Sequence, residues 1–387
     1  MSSLTRDVAL VGVGYSELSR QGTPDPRKLT FTAVTEALQD AGLNGNQVDG
    51  IFEYKFGPES PSAQEVARLI GAPNLTAFAD IIPNNPSGLA GPLMGVMAVA
   101  SGVCETVVAF RCLTRVAGYT GGVRTGPDRI PGRDQLLLPY GYSGGIIMNM
   151  ALAKRRWMAQ YGRGEEDFGH IAVNARKWAA RNPRAVLREE ITMDDYLESR
   201  IISDPLRLLD CDYPINGAVA TIITTAERAR DLRQTPVIVD SMSYGTGPEV
   251  DWVFSADYLY GGTIPCAKTL WHRSGYGPQD VDVAQVYDGF TSVTLQWIEA
   301  LGFCGIGEFG DWIGDGSRIG PGGDLPMNTA GGQLAEGRLH GVSFLNEAIL
   351  QLRGQVQPER QVKDATVAVV ASGLYPQCGA MVLTTTQ

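Results

Sequence analysis

Two glycine-rich turns are the features of this sequence best suited to chemistry. The first turn covers residues 82–89 and precedes a helix predicted over residues 90–102. The second covers residues 328–332 and precedes a helix predicted to end near residues 352–354. The backbone N–H groups at the start of a helix lack partners within it and lie at the positive end of its dipole. The two turns therefore predict a doubled site for an anion or a carbonyl oxygen.

A weaker repeat links two other parts of the chain. Residues 37–49 and 270–282 each read as a helix end, a turn and the start of a strand. Three residues match between the copies at one constant offset: Gly42, Val48 and Asp49 correspond to Gly275, Val281 and Asp282. An apolar strand precedes each copy, at residues 8–12 and 236–240. The chain therefore contains two copies of one structural plan.

The strands that follow the two turn-and-helix units, at residues 106–110 and 366–370, complete a β-α-β-α-β order that occurs twice. We predict an α/β protein with two duplicated halves, residues 1–230 and 231–387, each built on a mixed, mostly parallel sheet. An additional block, about residues 113–200, interrupts the first half. A connection of this length is usually functional or forms an interface, so the block is either a cap over the site or a dimer contact.

Net charge and two short motifs argue against binding of nucleic acid and of dinucleotides. The 387 residues carry a net charge of -10, which argues against nucleic acid as a partner, because phosphate binding needs a concentrated basic surface. We interpret the basic run at residues 154–156 as a solvated helix face rather than a contact for the phosphates of CoA. The Gly12-Val13-Gly14 segment lacks the third glycine of a dinucleotide fingerprint and predicts a tight turn.

Cysteine and histidine spacing predicts neither disulfides nor a metal site. The six cysteines include no C-x-x-C pair, and the three histidines lie far apart. The N-terminus has no apolar signal segment, and the uncharged stretch at residues 81–104 contains prolines and asparagines that favour a turn and a buried helix over a membrane span. We therefore expect a reduced, cytoplasmic protein.

Four stretches together resemble the thiolase superfamily, and the resemblance covers essentially the whole chain. Its nearest branch contains thiolase-like lipid-transfer proteins and steroid side-chain aldolases that work with a zinc-containing DUF35 protein. The stretches are residues 205–211, 287–291, 301–308 and 328–341. The resemblance implies the thiolase fold, in which two duplicated halves form five α-β-α-β-α layers.

The resemblance also shows what this chain lacks for thiolase chemistry. A thiolase uses a nucleophilic cysteine in the first turn, where this sequence has Leu89 beside Ser87 and Gly88. The activating histidine of a thiolase is replaced by Arg338, and Cys378 lies some residues past the place of the second thiolase cysteine. Cys378 is either displaced catalytic machinery or a small buried residue. These replacements argue against a thioester acyl-enzyme.

A retro-aldol cleavage needs different groups, and the aldolase branch uses tyrosines to transfer protons. One of these tyrosines matches Tyr287. The other aligns with Arg338, whose guanidinium stays protonated and is expected to stabilise an alkoxide or enolate, or to orient Tyr287 or Asp288. Tyr375 is a candidate for the missing phenol, and His340 is either an oxyanion donor or a support. The remaining predicted substrate-binding positions are Asp288, Leu89, Gly332 and Cys378.

The leading hypothesis is therefore an aldolase that cleaves a β-hydroxyacyl-CoA, with a steroid side chain, into a ketone and a short acyl-CoA. The alternatives are a divergent acyltransferase that uses Cys378 or Ser87, and a non-catalytic acyl-CoA- or lipid-binding subunit. We expect no cofactor bound by this chain, because the CoA thioester is the substrate. We expect a homodimer that pairs through the strand at residues 106–110 and binds two DUF35 chains to form a heterotetramer.

Overall fold

The computed structural model describes residues 6–55, 59–82, 88–114, 145–248, 258–374 and 377–385. The strands are β1 Val8–Tyr15, β2 Gly50–Tyr54, β3 Ala77–Ile81, β4 Thr106–Leu113, β5 Ile201–Ser203, β6 Leu206–Arg207, β7 Gly217–Thr225, β8 Val237–Thr246, β9 Val283–Val286, β10 Val367–Leu374 and β11 Gln377–Thr384. The helices are α1 Pro26–Ala41, α2 Ala63–Ile70, α3 Ala90–Ala100, α4 Ile146–Tyr161, α5 Glu166–Ala180, α6 Met193–Glu198, α7 Ala226–Ala229, α8 Thr263–Arg273, α9 Thr291–Ala300, α10 Phe309–Ile313, α11 Gly332–Ala335 and α12 Val342–Leu352.

The strand order shows the predicted duplication. The main sheet runs β3-β2-β4-β7-β1-β8-β11-β10-β9, so β2-β4-β7-β1 in one half mirrors β9-β10-β11-β8 in the other. The halves meet where β1 pairs with β8 through Ala9–Ile238 and Leu10–Val237. Each half is mixed and mostly parallel in strand direction, as predicted: β3, β2, β4 and β1 run one way in the first half, and β9, β10 and β8 do so in the second. In each half the last strand, β7 or β11, returns antiparallel between its neighbours, so most strand pairs in the described residues are antiparallel.

The repeated aspartates perform the same task in both halves. The Asp49 carboxylate accepts hydrogen bonds from the amides of Glu105 and Thr106 at the start of β4. The Asp282 carboxylate accepts from the amides of Thr366 and Val367 at the start of β10. Each aspartate therefore fixes the register of the central parallel pair in its half, which explains why the repeat retains it.

The helices lie in the predicted five layers. α1 and α2 cover the outer face of the first half-sheet, and α8 and α9 cover the outer face of the second. Between the half-sheets lie α3, which contacts β2, β4 and β7, and α12, which contacts β9, β10 and β7. Nearly every residue of α12 is buried, as expected for a helix covered on both sides. No helix in the described residues has the length and apolar character needed to cross a membrane.

Gly12 and Gly14 lie inside β1, so the predicted tight turn is wrong. A Cβ atom on Gly12 would overlap the backbone oxygen of Ala37, and one on Gly14 would overlap that of Ala33. The two glycines therefore let α1 pack directly on the strand, and the glycine spacing reflects helix–strand contact rather than a loop.

The second turn-and-helix unit contains two helices where the sequence predicted one. α11 ends at Ala335, and α12 begins at Val342. The connection includes Gly337, His340 and Gly341 with φ of 136°, 54° and 87°. A residue with positive φ cannot continue a right-handed helix, so the chain turns sharply before α12.

The predicted dimer strand lies inside the sheet, not at its edge. β4 pairs with β2 on one side and with β7 on the other, and its Val108 is buried. The first half instead ends at β3, whose Phe78 is 50% exposed. The sequence showed the apolar strands at residues 8–12 and 106–110 but not the order of strands across the sheet, which depends on long-range pairing.

The helical part of the inserted block packs on the second half of the chain. α5 contacts α9 and α11, and α4 contacts α9. Lys154 on α4 is fully buried, so the interpretation of the basic run as a solvated face is wrong for this residue, while Arg155 and Arg156 are exposed as predicted. Its Nζ lies 2.7 Å from Asp210 Oδ2 and 2.9 Å from the Tyr196 hydroxyl, so a buried ion pair connects the block to the segment before β7.

This ion pair gives a stability prediction. Lys154→Met leaves the Asp210 carboxylate buried without its cation, which should lower the free energy of unfolding by about 3–5 kcal/mol. The adjacent Arg155 pairs with Asp204 at an exposed position, so Arg155→Met should change it by only ~0–1 kcal/mol. Urea denaturation of both variants measures the difference. Equal stability of the two variants would contradict a structural role for Lys154.

Candidate active site

The end of the first predicted turn meets the loop before α12, at residues 340–341, rather than the second predicted turn at residues 328–332. Gly88, just before α3, lies so close to the loop before α12 that a Cβ atom there would overlap the carbonyl oxygen of His340. The hydroxyl of Ser372, near the end of β10, donates to the same carbonyl at 3.4 Å. A Cβ on Gly341 would in turn overlap Ser372 Oγ. The starts of α3 and α12 are therefore adjacent, so the helix start beside α3 is that of α12 and not that of α11, which follows the second predicted turn.

Tyr287 follows β9 and lies beside this point. Its ring is buried, and a Cβ on Gly341 would lie 3.4 Å from its Cδ2. Its amide donates to the Ala371 carbonyl at 2.9 Å, which fixes the backbone against β10. Burial, followed by the negative charge of Asp212, raises the pKa of Tyr287 well above its usual range. The phenol is therefore protonated at neutral pH and can act as a proton donor.

Asp288 and Gly332 contact each other and have structural tasks. Asp288 Oδ1 accepts from the amide of Gln333 at 2.8 Å, at the start of α11. Gly332 has φ of 60°, and a Cβ there would overlap Asp288 Oδ2. Burial raises the pKa of Asp288 to about 7, although hydrogen bonds from the amides of Gln333 and Leu334 oppose the shift. Both residues are buried, and the contacts that the structure shows for them hold the start of α11 against the loop of Tyr287.

Arg338 pairs with a carboxylate that the sequence did not single out. Its Nη1 lies 3.4 Å from Asp212 Oδ1, and both side chains are partly accessible. Burial raises the pKa of Asp212 to about 6, while the charge of Arg338 acts in the opposite direction. The only signal in the sequence was the position of Asp212 directly after the motif at residues 205–211. The pairing itself needs the fold, because 126 residues separate the partners.

His340 belongs to a buried network behind the helix starts. Arg111 Nη2 lies 3.2 Å from His340 Nδ1 and 3.0 Å from Glu59 Oε1, and Arg111 Nη1 donates to the Tyr54 carbonyl. Burial and then the charges of Arg111 and Arg338 hold the pKa of His340 well below its usual value. A guanidinium only donates, so the neutral ring accepts at Nδ1 and carries its proton on Nε2. No motif in the sequence pointed to Arg111 or Glu59, because their partners are distant along the chain.

The remaining predicted positions divide into buried residues and residues beyond the described parts of the chain. Leu89 is fully buried at the start of α3, and its side chain lies near Gly379 of β11. Cys378 is also fully buried, and burial raises the pKa of its thiol well above the usual value. Tyr375 and Ser87 lie outside the described residues. Within the described ranges, no group of three His, Cys, Asp or Glu side chains is placed to hold a metal ion.

Comparisons with known proteins identify relatives of this chain over nearly its whole length. Residues 255–385 match a family model described as thiolase C-terminal domain-like. The chain is 38% identical over 386 residues to a 17-hydroxy-3-oxo-4-pregnene-20-carboxyl-CoA lyase of Mycobacterium tuberculosis, across 96% of this chain and 99% of that protein. It is 35% identical to a steroid side-chain-cleaving aldolase of Thermomonospora curvata, across 96% of each chain. The solved structure of an Ltp2-ChsH2(DUF35) aldolase matches with a TM-score of 0.88 and 34% identity, across 99% of both chains.

The burial of Cys378 predicts an unreactive thiol. Iodoacetamide reacts with thiolates, so the native protein should remain unlabelled at Cys378, whereas the urea-unfolded protein should be labelled there. Incubation with an acyl-CoA should likewise leave no acyl group on this residue. Peptide mass spectrometry measures both reactions. Rapid labelling of Cys378 in the native protein, or an acyl adduct, would make the residue a candidate nucleophile again.

Proposed function

The chain belongs to the thiolase superfamily, in its branch of steroid side-chain-cleaving aldolases, and we propose that it is a carbon–carbon lyase that cleaves a β-hydroxyacyl-CoA by a retro-aldol reaction. The products are a ketone and a short acyl-CoA, and the proposed substrate class is a CoA thioester on a steroid side chain. The name of the mycobacterial relative supports this class. In 17-hydroxy-3-oxo-4-pregnene-20-carboxyl-CoA, the hydroxyl on C17 is β to the thioester carbonyl carried by C20.

The reaction sets three requirements on the site. A base removes the proton of the β-hydroxyl group while the bond between Cα and Cβ breaks. The electron pair of that bond enters the thioester, so donors must stabilise the enolate oxygen. An acid then protonates Cα. None of these steps needs a covalent enzyme intermediate, so a thiolase-like scaffold can catalyse the reaction without its cysteine.

The described residues supply the acid and the electrostatic stabilisation. Tyr287 is a protonated phenol beside the two helix starts, which suits it to protonate the enolate carbon. Arg338 places a guanidinium next to the same region, and the helix starts provide backbone N–H donors for an enolate oxygen. The neutral ring of His340, which carries its proton on Nε2, is suited to donate a hydrogen bond as well.

One observation supports the lyase over the acyltransferase. Where a thiolase would have its nucleophile, Leu89 fills the start of α3 with a fully buried aliphatic side chain. Of the two nucleophiles considered for the acyltransferase, Cys378 lies in the described residues. It is a buried thiol whose raised pKa disfavours the thiolate. A buried leucine and a buried thiol are unsuited to forming an acyl-enzyme. The protonated phenol beside them is suited to proton transfer.

The proposed assembly is a homodimer that binds DUF35 chains. β3 is the edge strand of the first half-sheet. Two apolar side chains are exposed there: Phe78 within the strand and Ile82, which is 65% exposed, directly after it. Pairing of β3 with its copy across a two-fold axis would cover this edge. A DUF35 partner is supported by the solved aldolase whose name includes one, and two such chains on a dimer would give a heterotetramer. The chain itself is proposed to bind no cofactor and to act in the cytoplasm.

The direct test of the function uses a β-hydroxyacyl-CoA steroid and the chain purified with its DUF35 partner. The wild-type complex should release a ketone and a short acyl-CoA, which liquid chromatography with mass spectrometry detects. Tyr287→Phe removes only the hydroxyl group and should lower turnover by roughly 10²–10⁴-fold, the usual contribution of a positioned acid. Near-normal turnover would remove Tyr287 from the mechanism. Transfer of an acyl group to CoA, with no ketone formed, would disprove the lyase.

The dimer is tested by a charge placed on β3. The wild-type protein should be a dimer, and the Phe78→Asp variant should be a monomer, because pairing would bury its new carboxylate at the edge strand. Phe31→Asp, at a similarly exposed phenylalanine on α1, serves as the control and should stay dimeric. Light scattering at micromolar concentration measures the mass against the 41.5-kDa chain. A wild-type monomer, or a Phe78→Asp dimer, would contradict this interface.

A further inference from the structure

The proposed reaction needs a base, and none of the three described residues predicted to be catalytic, Tyr287, Arg338 and His340, is suited to that role. The Tyr287 phenol holds its proton at neutral pH. Arg338 stays protonated. The Nδ1 of His340, which is the ring atom able to accept a proton, is already occupied by Arg111. We propose that Asp212 accepts the proton of the substrate's β-hydroxyl group, an assignment that rests on the proposed lyase function.

The backbone around Asp212 is held from two directions. On one side, the amide of Asp212 donates to the Gly289 carbonyl at 3.1 Å, and Cys211 pairs with Phe290. On the other side, the amide of Arg338 donates to the Tyr213 carbonyl at 2.9 Å. The segment therefore lies between the loop that carries Tyr287 and the loop that carries Arg338, which is where a base for the same substrate must be.

Gly289 connects Asp212 with the phenol. A Cβ on Gly289 would lie 2.9 Å from the Tyr287 hydroxyl oxygen, and the Gly289 carbonyl accepts from the Asp212 amide, so the phenol and the backbone of Asp212 both lie next to this glycine. The negative charge of Asp212 also raises the pKa of Tyr287, so the carboxylate is near enough to the phenol to interact with it. This arrangement allows one substrate to contact both the carboxylate and the phenol.

Accessibility distinguishes Asp212 from the other carboxylates nearby. Its side chain is 11% exposed and that of Arg338 is 18% exposed, whereas Asp288 is fully buried. Asp210, two residues earlier, is also fully buried, and its oxygens accept from Lys154 and Tyr196. Within the described residues the Asp212 carboxylate has one hydrogen-bond partner, Arg338, at 3.4 Å. Asp212 therefore retains the capacity to accept a proton from a ligand.

The proton transfers balance over one cycle. Asp212 takes the proton of the β-hydroxyl group, the C–O bond becomes a carbonyl, and the bond between Cα and Cβ breaks. Its electron pair forms the thioester enolate, whose oxygen is stabilised by Arg338 and the helix starts. Tyr287 then gives its proton to Cα. The proton on Asp212 returns to the phenolate, directly or through water, and the site is restored with no other reactant.

The charged groups around Asp212 determine the expected pH dependence. Arg338, Tyr287, Asp288 and Cys211 all interact electrostatically with it. Burial raises the pKa of Asp212 to about 6, and Arg338 opposes this shift. A base must be deprotonated, so turnover should rise with pH through about 6 and then level off. Asp288, with a pKa of about 7, is the other carboxylate that titrates nearby.

The experiment measures turnover of the β-hydroxyacyl-CoA steroid by the chain with its DUF35 partner from pH 5 to 9. Asp212→Asn keeps the shape of the side chain and removes the base, so kcat should fall by roughly 10²–10⁴-fold with little change in KM. The rise of turnover through about pH 6 should disappear in this variant. Asp204→Asn, at an exposed aspartate of the same region, serves as the matched control and should behave as the wild type.

A third variant separates a base from a residue that only holds Arg338. Arg338→Gln removes the cation that lowers the pKa of Asp212, so the rise in turnover should remain and move to higher pH. If Asp212 acted only by positioning Arg338, this variant would lose the rise altogether, and the assignment would be wrong. An unchanged pH profile in Asp212→Asn would also overturn it, and would point to Asp288. A wild-type complex that forms no ketone would instead refute the lyase function itself.

Discussion

The close approach of Gly88 to His340 is the constraint on which the site depends. The chain just before α3 and the loop just before α12 pack so tightly that no side chain fits at position 88. This contact brings together two helix starts that lie about 250 residues apart in the sequence, and it places their N–H groups around one volume. The loop before α12 can reach this position because three of its residues adopt positive φ.

Buried charge is distributed around this contact in separate networks. Arg111, which pairs with Glu59, lies behind His340, and burial followed by the charges of Arg111 and Arg338 lowers the pKa of its ring. Lys154 and Asp210 anchor the inserted helices beside the loop of Tyr287. Both networks are well supplied with partners, so they orient the site without taking part in its chemistry. The partly accessible Arg338–Asp212 pair differs from them, because a substrate can reach it.

The same scaffold can thus move from acyl transfer to proton transfer with few changes. The helix starts and their donors depend on backbone geometry, which does not require a cysteine or its activating histidine. Leu89 fills the former nucleophile position with an apolar side chain, and burial keeps the Tyr287 phenol protonated. A carbonyl oxygen that gains charge needs the same donors in both reactions. The chemistry is therefore decided by the groups next to the donors.

The sequence by itself determined the features that depend on local residues and on repetition. The glycine-rich turns, the duplicated halves and the matching Asp49 and Asp282 are all visible in the chain, because capping and turn chemistry act over a few residues. The resemblance carried by four motifs led to the family, the five layers and Tyr287.

Only the tertiary structure decided which distant residues meet. Lys154 looked solvated because its partner Asp210 is 56 residues away, and the free energy of a buried pair depends on geometry that no local pattern contains. β4 looked like an edge strand because apolar composition does not specify lateral order in a sheet. Asp212 was not recognised as a site residue for the same reason. Its chemistry comes from burial and from Arg338, and both exist only after the chain has folded.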